Sequence, residues 1–227
     1  MSQSKRLKAA AEKIDRTKVY SIDEALVLVR ETSQVKFDAS VEVHAKLGID
    51  TKQGDQLVRA TVVLPHGNGK KIRLVAFVPE DQVQAAKKAG ADIAGNTDLI
   101  NEIKTTGKCD FDLAVATPDM MKELAAVARI LGQKGLMPNP KTGTISPKIT
   151  QIIQELKAGK VAFKNDNFGN IHVVIGRISF EDNKLKENFQ ALMEVLKKSK
   201  PEKIKGTFIR SLYLTSSMGP SVKVAAS

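Results

Sequence analysis

The sequence predicts a two-domain protein of mixed α/β and α+β class, in which a discontinuous α+β sheet domain is interrupted by an inserted three-layer α/β (Rossmann-like) domain. Three observations carry this. Both ends of the chain alternate apolar and polar residues with period two, the middle runs strand, helix, strand, helix, and net charge divides along the same line. With 227 residues, two small cores can form without disulfide or metal staples.

Residues 1–20 alternate Lys and Arg with small residues and read as a basic tail or a frayed helix. Ser21 with Glu24 three positions on spells a capping box ahead of Ala25, Leu28 and Val29 at helical spacing, so a helix starts there. "KFDASVEVHAKLGID" then switches to period two. Phe37, Ala39, Val41, Val43, Ala45 and Leu47 share one face; Lys36, Asp38, Ser40, Glu42, His44 and Lys46 share the other. This is a half-buried strand with a polar outer face. "LVRATVVLP" is a second strand, closed by the turn-forming "HGNGKK".

The middle follows βαβ order. "KKIRLVAFV" is a strand, "PEDQVQAAKKAG" a helix with acidic residues in its first turn and lysines in its last, "ADIAG" a short strand and "TDLINEIKTTG" a helix. "FDLAVAT" is a buried strand, and "PDMMKELAAVARILG" a helix with Pro118 at its first position and Gly132 just past its end. Ser146 and Pro147 open a last helix, whose stripe is Ile149, Ile152, Ile153 and Leu156 and which Gly159 ends. Crossovers of this length imply a small parallel sheet between helices.

After Gly159 the alternation returns. "KVAFK" and "NIHVVIGRIS" read as a hairpin joined by "NDNFGN". A long helix follows with Leu185, Phe189, Leu192 and Leu196 at helical spacing, stopped by Pro201, and "GTFIRSLYLTSS" is the final strand. The domains are therefore drawn at 1–66 with 160–227 and at 67–159, joined through "HGNG" and "KAGK", two connections that would serve as a hinge.

Composition narrows the function. Lys and Arg number 36 against 25 Asp and Glu, a net charge of +11, so a polyanion is the first partner to consider. Residues 1–66 hold 11 basic and 9 acidic side chains, 160–227 hold 12 and 6, and 67–159 hold 13 and 10, which leaves about +8 on the outer segments and +3 on the middle. The polyanion site belongs mainly to the split domain. A lone Cys109 excludes an internal disulfide and a multi-cysteine metal knuckle, which fits a reducing cytoplasm. No apolar leader opens the sequence and no run approaches the roughly 18 apolar residues of a span, so no membrane partner is expected.

Enzyme chemistry is not spelled. "TTGKCD" has Cys109 where a phosphate loop needs its magnesium-binding hydroxyl, and "GNGKKI" has Ile72 in place of the third glycine of a dinucleotide fingerprint. His44, His66 and His172 are scattered, and Asp110 with Asp112 reads as solvated strand-end carboxylates rather than a Mg²⁺ pair. No cofactor and no catalytic group are expected. Aromatic residues make up 4 % with no Trp, too few for a base-stacking platform, which leaves structured RNA recognised through phosphates, 2′-hydroxyls and shape. Two places have the donors for it. One is the polar face of the first strand, Lys36, Ser40, Glu42, His44 and Lys46, with Phe37 at its start; the other is "SLYLTSSMGP", with hydroxyls at Thr215, Ser216 and Ser217, and Met218 before a Gly-Pro stop. An ordinary solvated sheet face and a frayed tail are the plain alternatives.

In "LGQKGLMPNPKTGT", "KFDASVEVHAKLGID", "ATVVLPHGNGK" and "SLYLTSSMGP", and in their order, the chain resembles the family of bacterial ribosomal large-subunit protein one, and the resemblance covers essentially the whole chain. It implies a split domain that grips a bent helical junction of large-subunit rRNA on a mobile stalk, where movement helps deacylated tRNA leave the exit site. It also implies repression of translation through a mimic of that junction in the protein's own operon mRNA, a cytoplasmic ribosomal location, and a monomer off the ribosome. By matching motif, the implied RNA contacts are Lys36, Phe37, Ser40, Glu42 and Lys46, with Ser211, Ser217, Met218 and Gly219. Ser217 departs from the threonine usual in the family, keeping the hydroxyl without the methyl. Lys134, Lys141 and Lys164 are added as secondary RNA contacts.

The segment 131–144 lies within a stretch, 124–154, that has no Asp or Glu but carries Arg129, Lys134, Lys141 and Lys148. Pro138 and Pro140 stiffen it and Gly135 and Gly143 permit turns. Two readings stay open: a basic surface that touches RNA loosely, or a purely structural loop.

Overall fold

The computed structural model describes residues 4–202, 204 and 206–225, and of Lys141 the backbone alone. The chain divides into two compact units, Met1–Gly69 with Val161–Ser227, and Lys70–Lys160.

In the first unit the period-two segments pair into an antiparallel sheet of β1 (Ser40–Leu47), β7 (Asn170–Arg177), β8 (Ile209–Ser216) and β9 (Ser221–Val224), in the order β7-β1-β8-β9. Alternation makes one face of this sheet apolar. Val41, Val43, Ala45 and Leu47 of β1 lie with Ile171, Val173 and Ile175 of β7 and Leu212 and Leu214 of β8 in one core. Two helices cover that face: α2 (Ile22–Thr32) through Leu26 and Val29, and α8 (Asp182–Lys198) through Leu185, Leu192 and Leu196. Burying a side chain such as Leu214, which has no exposed surface, is worth roughly 1.5–3 kcal/mol. The capping box on α2 is present in both directions, Ser21 Oγ accepting from Glu24 N and Glu24 accepting from Ser21 N.

Three readings of this part are corrected. "KVAFK", β6 (Lys160–Lys164), does not form a hairpin with β7; it pairs with β2 (Arg59–Val63) in a separate two-stranded sheet. The short turn between β6 and β7 suggests a hairpin, but β7 carries three inward-facing apolar residues and docks on β1, whereas β6 buries only Phe163. Phe37 does not join the apolar face, because the strand begins at Ser40 and Phe37 is 53 % exposed in the loop before it. "GTFIRSLYLTSS" is not the final strand either: β8 stops ahead of Gly219-Pro220 as read, but the chain reverses there into β9. Residues 5–12, read as tail or frayed helix, form α1 (Lys5–Glu12), capped by Ser4 Oγ, which accepts from Leu7 N.

The second unit is a parallel sheet, order β4-β3-β5, of β3 (Leu74–Phe77), β4 (Ile93–Gly95) and β5 (Leu113–Ala116). Alternation here serves two cores. Leu74 and Ala76 of β3 face α3 (Glu80–Lys88) and α7 (Ile149–Lys157), while Val75 and Phe77 face α4 (Thr97–Thr106) and the helical segment that follows β5. That gives three layers, helix, sheet, helix. The four residues of the α7 stripe are all buried.

"PDMMKELAAVARILG" is not one helix. It is α5 (Met121–Leu124), a 3₁₀ turn at Ala125–Val127, and α6 (Ala128–Gln133), with Pro118 in the preceding turn. Side chains three apart eclipse in a 3₁₀ turn, which sets Leu124 and Val127 against the same core. Gly132 is not the residue past the helix end: Gly135 is, at φ +69°, with Gly135 N–H donating to Gly132 O (3.1 Å) and Leu136 N–H to Leu131 O (2.8 Å).

Candidate nucleic-acid interface

The face of the first sheet opposite its core is built by register. On β1, Ser40, Glu42, His44 and Lys46 point outward and are half-buried. Lys46 stands opposite Ser211, His44 opposite Tyr213 and Glu42 opposite Thr215 on β8; on β7, Lys46 faces Asn170 and His44 faces His172. Tyr213 in turn faces Lys223 of β9. A row of hydroxyl, amide, imidazole and amine groups thus crosses four strands.

One end of this face is an edge fixed by hydrogen bonds. Ser217 N–H donates to Ser40 O (3.0 Å), Ser40 N–H donates to Ser217 Oγ (3.2 Å), and Ser217 Oγ donates to Glu42 Oε1 (3.4 Å). The turn that follows is tight. Gly219 N–H donates to Ser216 O (2.8 Å), and Thr215 Oγ1 donates to Gly219 O (3.3 Å) and Pro220 O (3.2 Å). A Cβ on Gly219 would lie 2.2 Å from Ser216 Oγ, so the position takes only glycine without movement. Met218 holds φ +60°, unusual for a residue with a side chain, and is 73 % exposed. Lys36 and Phe37 are exposed in the loop that enters β1, and Arg6 of α1 donates to carbonyls of both segments: Nη1 to Gln34 O (2.9 Å) and Nη2 to Met218 O (3.3 Å).

The other end holds Lys46 and Ser211, six residues further along β1, roughly 20 Å at strand rise. Lys46 Nζ donates to Phe168 O, and Phe168, at the tip of the β6–β7 turn, is 77 % exposed. Asp166 organises that turn by accepting from Phe168 N (2.8 Å), Asn170 N (2.7 Å) and Asn170 Nδ2 (2.9 Å). Desolvation alone would raise its pKa; the Asn170 and Phe168 hydrogen bonds and the nearby His172 outweigh that and hold it at about 2. Between the two ends His44 Nδ1 and His172 Nδ1 lie 2.7 Å apart, so one imidazole donates to the other. Burial first, and then His172, keeps the His44 pKa below its usual value, against the opposing pull of Glu42.

The residues singled out from the sequence therefore fall into two groups. Lys36, Phe37, Ser40, Glu42, Ser217, Met218 and Gly219 gather at one edge; Lys46 and Ser211 meet at the far end. Lys164 is exposed at the end of β6. Lys134, in the second unit, donates through Nζ to Gly107 O (3.0 Å), the C-terminal cap of α4. The side chain of Lys141 lies outside the described residues. The 131–144 segment is tied to the β5 strand, Ala116 N–H donating to Thr144 O (3.0 Å). Asp110 and Asp112 pair with Arg73, and Asp112 also with Lys70. Among the described residues no group of three His, Cys, Asp or Glu side chains could hold a metal ion, and no helix is long and apolar enough to cross a membrane. Sequence reasoning missed Arg6, Phe168, Tyr213 and Lys223, of which the last two were legible from the period-two pattern once β9 was known.

Residues 29–220 match the family described as Ribosomal protein L1p/L10e. The chain is 52 % identical over 222 residues to the large ribosomal subunit protein uL1 of Chloroflexus aurantiacus, covering 97 % of this chain and 94 % of the relative. It is 48 % identical over 222 residues to the protein of the same name from Macrococcus caseolyticus, covering 98 % and 96 %.

Proposed function

Because the chain belongs to the ribosomal protein L1p/L10e family, we propose that its outer sheet face, and above all the Ser40–Ser217–Met218–Gly219 edge, holds a bent helical junction of large-subunit rRNA. The chain is a structural, rRNA-binding protein of the large ribosomal subunit in the cytoplasmic ribosome, and not an enzyme. The finer reading is ours: the protein is part of a stalk whose movement assists release of deacylated tRNA from the exit site. It also binds a mimic of the junction in its own operon mRNA and represses translation, and it is a monomer off the ribosome.

The observation that carries this is the fixed edge. Two exposed apolar groups, Phe37 and Met218, flank hydroxyls and backbone donors locked by hydrogen bonds, so recognition needs little reorganisation. Phosphate contacts from the basic surface supply affinity, while the edge reads shape and 2′-hydroxyls. Competition binding at one salt concentration, between a transcript of the rRNA stalk junction and an unrelated hairpin of equal length, tests it. The junction is expected to win by at least about a thousandfold, the lower end of the span of specific over nonspecific binding. Equal binding would leave only a nonspecific basic protein.

A further inference from the structure

We propose that Arg6 is a positioning residue for RNA recognition and that α1 belongs to the interface as the element that carries it; the inference rests on the functional reading above. The two exposed apolar contacts of the edge, Phe37 and Met218, sit on segments 181 positions apart in sequence, and neither segment is part of a strand. Ser217 ties one of them to the start of β1, but the carbonyls of Gln34 and Met218 lie beyond that tie. The Arg6 guanidinium spans them, one Nη to each.

The chemistry suits the task. A guanidinium is planar and offers its N–H groups at fixed angles, so two carbonyls bound to it are held at a fixed separation; a lysine ammonium on a flexible stem imposes no such angle. The Met218 carbonyl belongs to a residue at φ +60°, an uphill conformation for a residue with a Cβ, and a bond to that carbonyl favours it over its alternatives.

Arg6 can do this only if α1 is itself ordered and anchored: it is capped at its start and tied to the sheet after its end. Ser4 caps its start. After its end, Asp15 N–H donates to the Tyr20 hydroxyl (3.0 Å), and Tyr20 N–H donates to Lys223 O of β9 (2.9 Å). Leu7 and Ala11 of the helix and Ile14 just past its end line a small cleft together with Gly219, Pro220 and Ser221, so the helix lies beside the turn. A run of basic and small residues that reads as a basic tail or a frayed helix is thus the brace of the edge.

The test uses the full chain and the same stalk-junction transcript and hairpin, comparing wild type with Arg6→Ala, Arg6→Lys, Met218→Ala and Arg6→Ala/Met218→Ala. Amide hydrogen exchange is followed in the free proteins. Arg6→Ala is expected to weaken junction binding about tenfold, to leave hairpin binding within about twofold, and to speed exchange in 34–37 and 218–219 but not in β1. Arg6→Lys should stay weakened although its charge is kept, and Arg6→Ala should cost less in the Met218→Ala background than alone. Full rescue by lysine, or losses at Arg6 and Met218 that simply add, would reduce Arg6 to a charge and overturn the proposal. Unchanged junction affinity in Arg6→Ala would overturn it while leaving the functional reading intact, whereas a wild-type chain that does not prefer the junction overturns both.

Discussion

Ser217 and Ser40 are joined by a reciprocal pair of hydrogen bonds, the backbone of Ser217 donating to the Ser40 carbonyl at 3.0 Å and the backbone of Ser40 donating to the Ser217 hydroxyl at 3.2 Å. The hydroxyl reaches on to Glu42, so one side chain sets the first residues of β1 against the end of β8. Ser217→Ala leaves the Ser40 amide without its partner and should cost about 1 kcal/mol of stability, read from denaturant midpoints. It should weaken junction binding about tenfold, by the loss of one recognition-fixing bond. Ser217→Thr, which keeps the hydroxyl, should bind within about twofold of wild type.

Gly219 is constrained by space rather than by φ. Gly219→Ala drives a methyl into the Ser216 hydroxyl, which is buried and has no hydrogen-bond partner among the described residues. The turn must open, Met218 is displaced, and junction affinity should fall more than tenfold with a destabilisation of about 1–3 kcal/mol, the usual cost of overpacking. Ser216→Ala removes the closest obstructing atom at little cost, and the double variant should recover a large part of the loss. No recovery would mean that the glycine serves something other than space.

Asp166 makes part of the stability of the β6–β7 turn depend on pH. Its folded pKa, about 2, lies below the ordinary 3.8, so its contribution is fully present above the unfolded value and is lost as pH falls through the folded one. The melting-temperature gap between wild type and Asp166→Asn should therefore be constant above about pH 5 and should narrow between about pH 4 and 2. A gap that is flat across this window would remove the carboxylate from the account of the turn.

Lys134 separates the two readings of the glycine- and proline-rich segment. Its amine caps α4 at Gly107, and Thr144 ties the segment to β5. Lys134→Met is expected to cost about 0.3–1 kcal/mol, the range for a cation at a helix C-terminus, and to leave junction affinity unchanged. A loss of affinity of about threefold or more, with stability intact, would favour RNA contact by this loop instead.

The elements were readable wherever one period ran long enough. The capping box at Ser21 and Glu24, the α7 stripe from Ile149 to Leu156 and the alternation of β1 all stand as their residues imply. Pairing was less legible, because period two names the face of a strand and not its neighbour; β6 and β7 are adjacent in sequence yet lie in different sheets. The candidate edge was visible in its polar residues but not in its assembly. Nothing local to "SKRLKAAAE" announces that Arg6 meets Met218, a contact across 212 positions, or that Gly-Pro turns the chain back into β9 rather than ending it. Phe37 illustrates the same gap: alternation assigned it inward, while the strand starts three residues later.

The central claim is that RNA lies along the outer face and edge of the split sheet. Amide chemical-shift mapping of the full chain, titrated with the stalk-junction transcript, tests it most directly. The account predicts that the largest changes fall in 34–46 and 211–219, with residues 70–160 moving little. Changes concentrated in the α/β unit, with Ser40, Ser217 and Gly219 unperturbed, would contradict it.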